Sequence, residues 1–179
     1  MKNSVPKSLN QYFYKSPSYN LDISNWNTSK IKNMDHCFSG CTELRDLDLS
    51  NWNTSSVIDM SDCFSKCASL RSLDLSNWNT SNVNTLLRCF SGCTDLKSLD
   101  LSSWDTSKVV NMSSCFAGCT SLIYLDIRDW IINRDCHIKD IFKGCKNLSI
   151  IRCRQDTFNV LMTELGDGWV YEYGYAIKY

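Results

Sequence analysis

The 179-residue chain has only two prolines, two histidines and seven glycines. Both prolines, Pro6 and Pro17, lie before residue 20, so the rest of the chain lacks the residue that interrupts backbone ladders, and the N-terminal stretch differs from it in kind. An excess of one charge is also missing. Nineteen Lys+Arg balance nineteen Asp+Glu, which leaves no bulk basicity for nucleic acid or an anionic membrane. No run approaches the roughly eighteen apolar residues of a membrane span. No apolar run follows Lys2 and Lys7 either, so the start does not have the pattern of a secretory signal. G-x-S-x-G, H-E-x-x-H and a phosphate-cradling glycine loop are all absent, and His36 and His137 occupy positions that vary along the chain. The expectation is a non-enzymatic protein without a cofactor.

What is present repeats. Leu21-Asp22-Ile23-Ser24-Asn25-Trp26-Asn27-Thr28-Ser29 recurs from Leu47, Leu73 and Leu99, and in weaker form from Leu125, each step being 26 residues. Trp26, Trp52, Trp78, Trp104 and Trp130 keep phase, as do Phe38, Phe64, Phe90, Phe116 and Phe142. A unit this small cannot bury its own apolar surface, so neighbouring units must cover one another and the two ends need caps. The expected organisation is an N-terminal cap over 1–20, five repeats over 21–151 starting at 21, 47, 73, 99 and 125, and a C-terminal cap over 152–179, in a single domain. Tyr12, Phe13, Tyr14 and Tyr19 are available to cover the first unit, and Phe158, Leu161, Leu165, Trp169, Val170 and Tyr171 to close the last.

Within a unit, the alternation of Leu47, Asp48 and Leu49 predicts a short strand with one buried face. A turn follows at Asn53-Thr54-Ser55. Met34, Cys37, Phe38 and Cys41, at i, i+3, i+4 and i+7, predict a short helix. Asn33 and its equivalents Asp59, Thr85 and Asn111 are its candidate N-caps, and Gly40, Gly92, Gly118 and Gly144 its stops. Lys66 breaks that rule in the second unit. One parallel strand and one short helix per coil define an α/β leucine-rich-repeat solenoid.

Leu47-Asp-Leu-Ser-Asn-Trp-Asn-Thr-Ser followed by Met60-x-x-Cys63-Phe64-Ser65-x-Cys67-x-x-Leu70 resembles the 26-residue repeat of BspA-like leucine-rich surface proteins of bacteria. The resemblance runs from about Leu21 to Ile151. It implies a secreted or surface-anchored, adhesin-like chain that binds a protein ligand; the charge balance and the lack of a long apolar run separately argue for no nucleic acid and no membrane insertion. Cys37, Cys63, Cys89 and Cys115 stand where that family often has Met.

Eleven cysteines is an odd number, so at least one thiol is free or intermolecular. Four C-x-x-x-C pairs, from Cys37/Cys41 to Cys115/Cys119, share the apolar stripe and read first as small buried hydrophobes. Bridges between coils and a zinc site are the alternatives. Cys136 and Cys153, outside the ladder, are the expected reactive ones. A reduced thiol set also suits a cytoplasmic interaction or inhibitor protein on the same coil, which is the alternative to the adhesin; a thiol- or metal-binding repeat is a minor third.

On the open, concave face of the sheet, alternate residues share a side. Asn20-Asp22-Ser24, Asp46-Asp48-Ser50, Ser72-Asp74-Ser76 and Ser98-Asp100-Ser102 make a polar, acidic strip, while Tyr124-Asp126-Arg128 and Ile150-Arg152-Arg154 make its C-terminal end aromatic and basic. Asp48, Asp74, Asp100, Asp126, Tyr124, Arg128, Arg152 and Arg154 are therefore the candidate partner-binding residues. The repeated aspartates would repel one another unless serine and backbone N–H groups, or bound cations, offset them. Asn27, Asn53, Asn79, Asn111 and Asn147 match the N-glycosylation pattern, the first three within the repeated turn. The tryptophans read as core in preference to a carbohydrate platform.

Overall fold

The computed structural model describes residues 8–179, so the Met1–Lys7 part of the expected cap lies outside the described residues. Consecutive 26-residue units stack in register, and the chemistry of each unit shows why.

The segment read as a helix, 34–41, is instead a chain of tight turns. His36 has φ 54° and Gly40 φ 75°, and the same two places in the later units are filled by Asp62 and Lys66, Arg88 and Gly92, Ser114 and Gly118, and Asp140 and Gly144, all at positive φ. Two left-handed residues per eight end any right-handed helix. The N–H groups of Cys37 and Cys41 close turns onto Met34 O and Phe38 O, both at 3.1 Å. Those of Met34, His36, Phe38 and Gly40 point along the stack to Asp59, Ser61, Cys63 and Ser65 O, at 2.9, 2.9, 2.8 and 2.7 Å. The apolar stripe itself is real, because Met34, Cys37, Phe38 and Cys41 are all buried. Turns repeating every four residues bury the positions a helix would bury, which is why spacing alone does not separate the two. The residues read as helix caps make Asx turns: Asn33 Oδ1 accepts Asp35 N–H at 2.9 Å and Asp59 Oδ1 accepts Ser61 N–H at 2.8 Å.

The expected strand per coil forms only from the fourth unit on. β1 (Ser98–Asp100), β2 (Tyr124–Asp126) and β3 (Ile150–Arg152) pair in parallel, with Leu99 opposite Leu125 and Leu125 opposite Ile151. After α1 (Gln155–Leu165), β4 (Trp169–Glu172) and β5 (Tyr175–Lys178) form an antiparallel hairpin whose second strand pairs with β3, giving the order β1-β2-β3-β5-β4. Upstream, the corresponding segments meet through the single bridge Asn20↔Asp46 among the described residues. Parallel pairing superposes equivalent side chains, and there it superposes aspartates with no cation beside them. Next to Asp100, in contrast, stand Arg128 and Arg152. The hairpin also fixes β3 from its far side. α1 is the one α-helix among the described residues and belongs to the C-terminal end.

Inside the stack, four columns of identical groups repeat. The rings of Phe13, Phe38, Phe64, Phe90, Phe116 and Phe142 lie face to face, with centroids 5.3 to 5.8 Å apart. Trp26, Trp52, Trp78 and Trp104 stack at 6.3 to 6.4 Å. Buried Thr28, Thr54, Thr80 and Thr106 donate to Asn53, Asn79, Asp105 and Ile131 O at 2.9 to 3.1 Å. The fourth column is sulfur: Cys41, Cys67, Cys93, Cys119 and Cys145 donate S–H to the carbonyls of Phe13, Phe38, Phe64, Phe90 and Phe116, one coil back, at 2.9 to 3.2 Å.

The N-terminal segment extends these columns as an incomplete coil. Leu9, Gln11, Phe13 and Lys15 donate N–H to Asn33, Asp35, Cys37 and Ser39 O, and Phe13 covers Phe38. Tyr12 meets Trp26 edge-on at 5.3 Å, whereas Tyr19 stays exposed. At the other end Thr157 Oγ1 donates to Trp130 O at 2.8 Å, Phe158 and Leu161 are buried, and Glu164 accepts the otherwise open Asp140 N–H at 2.8 Å.

All eleven cysteines are free thiols. Cys136 and Cys153, expected to be the reactive pair, are buried, and burial pushes their thiols up to about 11 and about 12 respectively, so neither supplies thiolate near neutrality. Cys145 is the thiol that is not fully buried. Folded protein at pH 8 is therefore expected to take up one equivalent of iodoacetamide, at Cys145, and eleven after unfolding in guanidinium. Intact mass spectrometry reads the count, and rapid modification of Cys63 or Cys89 in the folded state would contradict this packing.

Candidate functional site

The strip begins as a row of exposed, self-satisfied carboxylates. Asp48 Oδ1 accepts Ser50 N–H at 3.0 Å and Ser50 Oγ–H at 2.7 Å, and Asp74 does the same with Ser76 at 3.0 and 2.7 Å. Asp100 accepts Ser102 N–H at 2.9 Å. These serine hydrogen bonds hold all three carboxyls below the ordinary carboxylate range, so they stay charged well into mild acid. The cost of aligning aspartates is thus offset by Asx turns that each unit carries for itself. The Oδ2 atoms of Asp48, Asp74 and Asp100 accept no hydrogen bond from the described residues.

Asp126 breaks the pattern. It is buried, and Arg128 grips it through Nε to Oδ1 at 3.0 Å and through Nη2 to Oδ2, while Tyr124 OH donates to Oδ2 at 3.2 Å and Arg152 Nη1 lies 3.7 Å away. The sequence-derived set Tyr124, Asp126, Arg128 and Arg152 is therefore brought together as one network, built on adjacent strands. Arg154 is not part of it. It ends the strand run, sits at the N-cap of α1 and pairs with Asp156 at 2.9 and 3.0 Å, so the triplet Ile150-Arg152-Arg154 does not form one face. The basic end of the strip is accordingly Arg128 and Arg152, each half-committed to Asp126.

Sequence reading missed the hairpin's contribution. Tyr175 pairs with Arg152 across β3 and β5, and its ring lies 5.6 Å from the guanidinium carbon. Tyr173, at the hairpin turn, is 97% exposed. The signal was available in Tyr173-Gly174, both at positive φ and flanked by alternating residues, a pattern that marks a two-residue hairpin turn. Trp52, Trp78, Trp104 and Trp130 cannot serve as a sugar platform from inside the stack, because they are buried, and Trp26 in the first unit is partly buried. The turn asparagines Asn27, Asn53 and Asn79 each accept both the N–H and the Oγ–H of the serine two residues on, which gives the repeated sequon a structural purpose.

One group of potential metal ligands occurs among the described residues, at Asp35, His36 and Asp62. Its carboxylates are already engaged. Asp35 accepts from Asn10 Nδ2 at 2.8 Å and meets His36 Nδ1 at 2.6 Å, and Asp62 is held by Arg88 Nε and Nη2 at 2.9 to 3.1 Å. The guanidinium occupies the cation's place.

A 26-residue coil stacked through backbone turns and aromatic columns, with an open sheet continuing from the later coils, is a leucine-rich-repeat fold. The chain belongs to the family described as "Mycoplasma protein of unknown function, DUF285", whose profile matches residues 7–122 and 45–152. Among solved structures, a leucine-rich cell surface protein from Faecalibacterium prausnitzii superposes with a TM-score of 0.50 at 22% identity, over 74% of this chain and 32% of that one. A leucine-rich-repeat protein from Bacteroides ovatus is matched over 75% of this chain and 54% of its own length, at 18% identity and a TM-score of 0.22. No curated protein matches the chain. The resemblance to BspA-like leucine-rich repeats thus holds, and at these identities it is one of fold. The chain spans about a third of the length of the Faecalibacterium protein. Among the described residues, no helix is long and apolar enough to cross a membrane.

Proposed function

We propose that the chain is a non-enzymatic protein-binding module, adhesin-like in role, which engages its ligand along the strip from Asp48 through Asp74 and Asp100 to the Arg128–Arg152–Tyr175 end. The observation that carries this reading is the change of charge along a single face. Three exposed carboxylates, kept ionised by their own serines, lead to two arginines and an aromatic ring on strands locked by a hairpin. Fixed charges of both signs on a rigid surface set the register of a partner and reject mismatched ones. The Faecalibacterium protein's description as a cell surface protein favours exposure of this chain at the cell surface. The cytoplasmic alternative draws on eleven free thiols, ten of them buried.

The test is surface plasmon resonance of the purified chain against a panel of host extracellular-matrix and cell-surface proteins, comparing wild type with Asp48→Lys/Asp74→Lys/Asp100→Lys. All three positions are exposed, so the variant should fold. A ligand bound by the wild type and weakened at least about tenfold in the variant supports the strip, since tenfold is about 1.4 kcal/mol. A ligand held equally by both places binding elsewhere. Protease shaving of intact native cells decides the address: release of peptides from this chain supports the surface reading, and recovery only from the cytosolic fraction supports the cytoplasmic one.

A further inference from the structure

The face made by the turn segments holds a second feature, which shares no residue with the strip. Three columns run side by side across the first coils. His36, Asp62 and Arg88 form one wall, Ser39, Ser65 and Ser91 the floor, and Lys15, Gly40 and Lys66 the other wall, around a groove of about 380 Å³ that Tyr14 closes at one end. In a chain of zero net charge, Lys15, Lys66 and Arg88 outnumber the two carboxylates beside them, Asp62 in the groove and Asp35, which meets His36 Nδ1 at 2.6 Å, by one positive charge.

Several groups in the groove lack a protein partner among the described residues. Ser39 and Ser65 are 5% and 3% exposed, yet their hydroxyls reach the groove and hydrogen-bond to nothing, whereas Ser91 Oγ turns away to Ala117 O at 3.1 Å. Arg88 uses Nε and Nη2 on Asp62, leaving Nη1 open. Neither Lys15 nor Lys66 forms an ion pair; Lys15 Nζ lies 5.0 Å from the centroid of the Tyr14 ring.

The placing of the lysines is itself unusual. Later coils put glycine at this left-handed turn position, in Gly92, Gly118 and Gly144, but Lys66 holds it at φ 60° and Lys15 holds the cap's equivalent at φ 54°. A Cβ-bearing residue is disfavoured in that region, so lysine is not there for the backbone's sake. Gly40 stands between the two, and a side chain there would run into Lys15, its Cβ only 2.8 Å from Lys15 Cγ. The arrangement is two ammonium groups on flexible stems either side of a gap, an open guanidinium edge and two open hydroxyls on the floor.

We infer that this groove binds a tetrahedral oxyanion, the phosphate or sulfate group of a monoester. Such a group offers the acceptor oxygens that these donors lack and a negative charge against the local excess of cations. Lys15 and Lys66 neutralise it, Arg88 orients it through Nη1, and the Ser39 and Ser65 hydroxyls complete its coordination. Asp62 fixes the guanidinium plane, and Arg88 shields the anion from that carboxylate.

Titrations at low ionic strength with inorganic phosphate, glucose 6-phosphate and glucose 6-sulfate, followed by amide chemical shifts and calorimetry, test this. Saturable shifts centred on Ser39, Ser65 and Lys66 are expected, with glucose 6-phosphate tighter than the sulfate if the site is made for a dianion and the reverse if for a monoanion. Lys66→Gly installs the residue the other coils use, so it folds, and it should weaken binding at least tenfold; Ser65→Ala should weaken it several-fold. Arg45→Ala, on a different surface, should leave it unchanged. No saturable shift, shifts confined to other residues, or equal binding by Lys66→Gly would overturn the inference. Loss of protein binding by the strip variant with anion binding intact keeps this result separate from the proposed function.

Discussion

Replacing Trp78 by alanine is expected to lower the unfolding free energy by about 3 to 5 kcal/mol, the usual range for truncating a buried aromatic. Trp78 is 2% exposed and lies between Trp52 and Trp104 at 6.4 and 6.3 Å, with its plane within 4° of both, while Phe64 meets it at 5.9 Å. Removal of the indole strips contacts from both neighbouring coils at once. Neither can close the gap, because the turn hydrogen bonds on the other side of the coil fix the spacing between units. In a stack whose stability is a sum of units and nearest-neighbour interfaces, the loss falls at the middle. The denaturation profile, read by circular dichroism in urea, should therefore shift to lower midpoint and broaden as the two halves uncouple. A cost below about 1 kcal/mol would mean that the column carries little of the stability. Trp78 Nε1 is also wholly shut off from solvent with no partner among the described residues, whereas Trp130 Nε1 donates to Leu101 O at 3.0 Å. Trp130→Phe should accordingly cost about 1 kcal/mol more than Trp78→Phe. Arg45→Ala, at an exposed and variable position, should stay within about 0.5 kcal/mol of wild type.

That central column was legible in the sequence because a 26-residue step with one tryptophan and one phenylalanine per unit admits no arrangement but stacking. The turn chain was not. Met34, Cys37, Phe38 and Cys41 satisfy a helical period, and only the φ values of His36 and Gly40 separate turns from helix. A sign of it was present in Gly40, Gly92, Gly118 and Gly144, where one left-handed residue per unit was read as a stop and was in fact the second of a pair. The strip was legible as a set of positions but not as a network. Alternation placed Tyr124, Asp126, Arg128 and Arg152 on a common side, yet it could not show that Asp126 is buried and offsets part of the arginines' charge. Nor could it carry the face past Arg152, because the next strand in space, β5, follows a helix and a hairpin in sequence and runs antiparallel. Arg154 left the strip for a local reason, pairing with Asp156 at the start of α1. Contacts set within a unit are visible in a repeat; contacts set at its ends depend on a cap that no repeat specifies.

The threonine column gives the second large effect. Thr54→Val, nearly isosteric, is expected to cost about 1 to 3 kcal/mol, since it leaves two partly buried backbone groups of Asn79 without their protein partner. Thr54 is 2% exposed; its hydroxyl donates to Asn79 O at 3.1 Å and accepts Asn79 N–H at 2.9 Å. Both groups belong to the same residue of the next coil, so this single oxygen replaces two backbone bonds at a corner where the main chains do not pair. Valine fills the volume and satisfies neither. Thr54→Ser separates the two contributions: the hydroxyl remains, one methyl is lost, and the cost should fall to about 1 kcal/mol. Hydrogen exchange locates the effect, because Asn79 N–H should be protected in wild type and in Thr54→Ser, and exposed in Thr54→Val. Equal protection in all three would mean that water serves the corner as well as threonine does. The identity of the side chain at this corner would then be set by packing alone, and Ile132, which stands at the same place in the fifth unit, would be the rule there and not the exception.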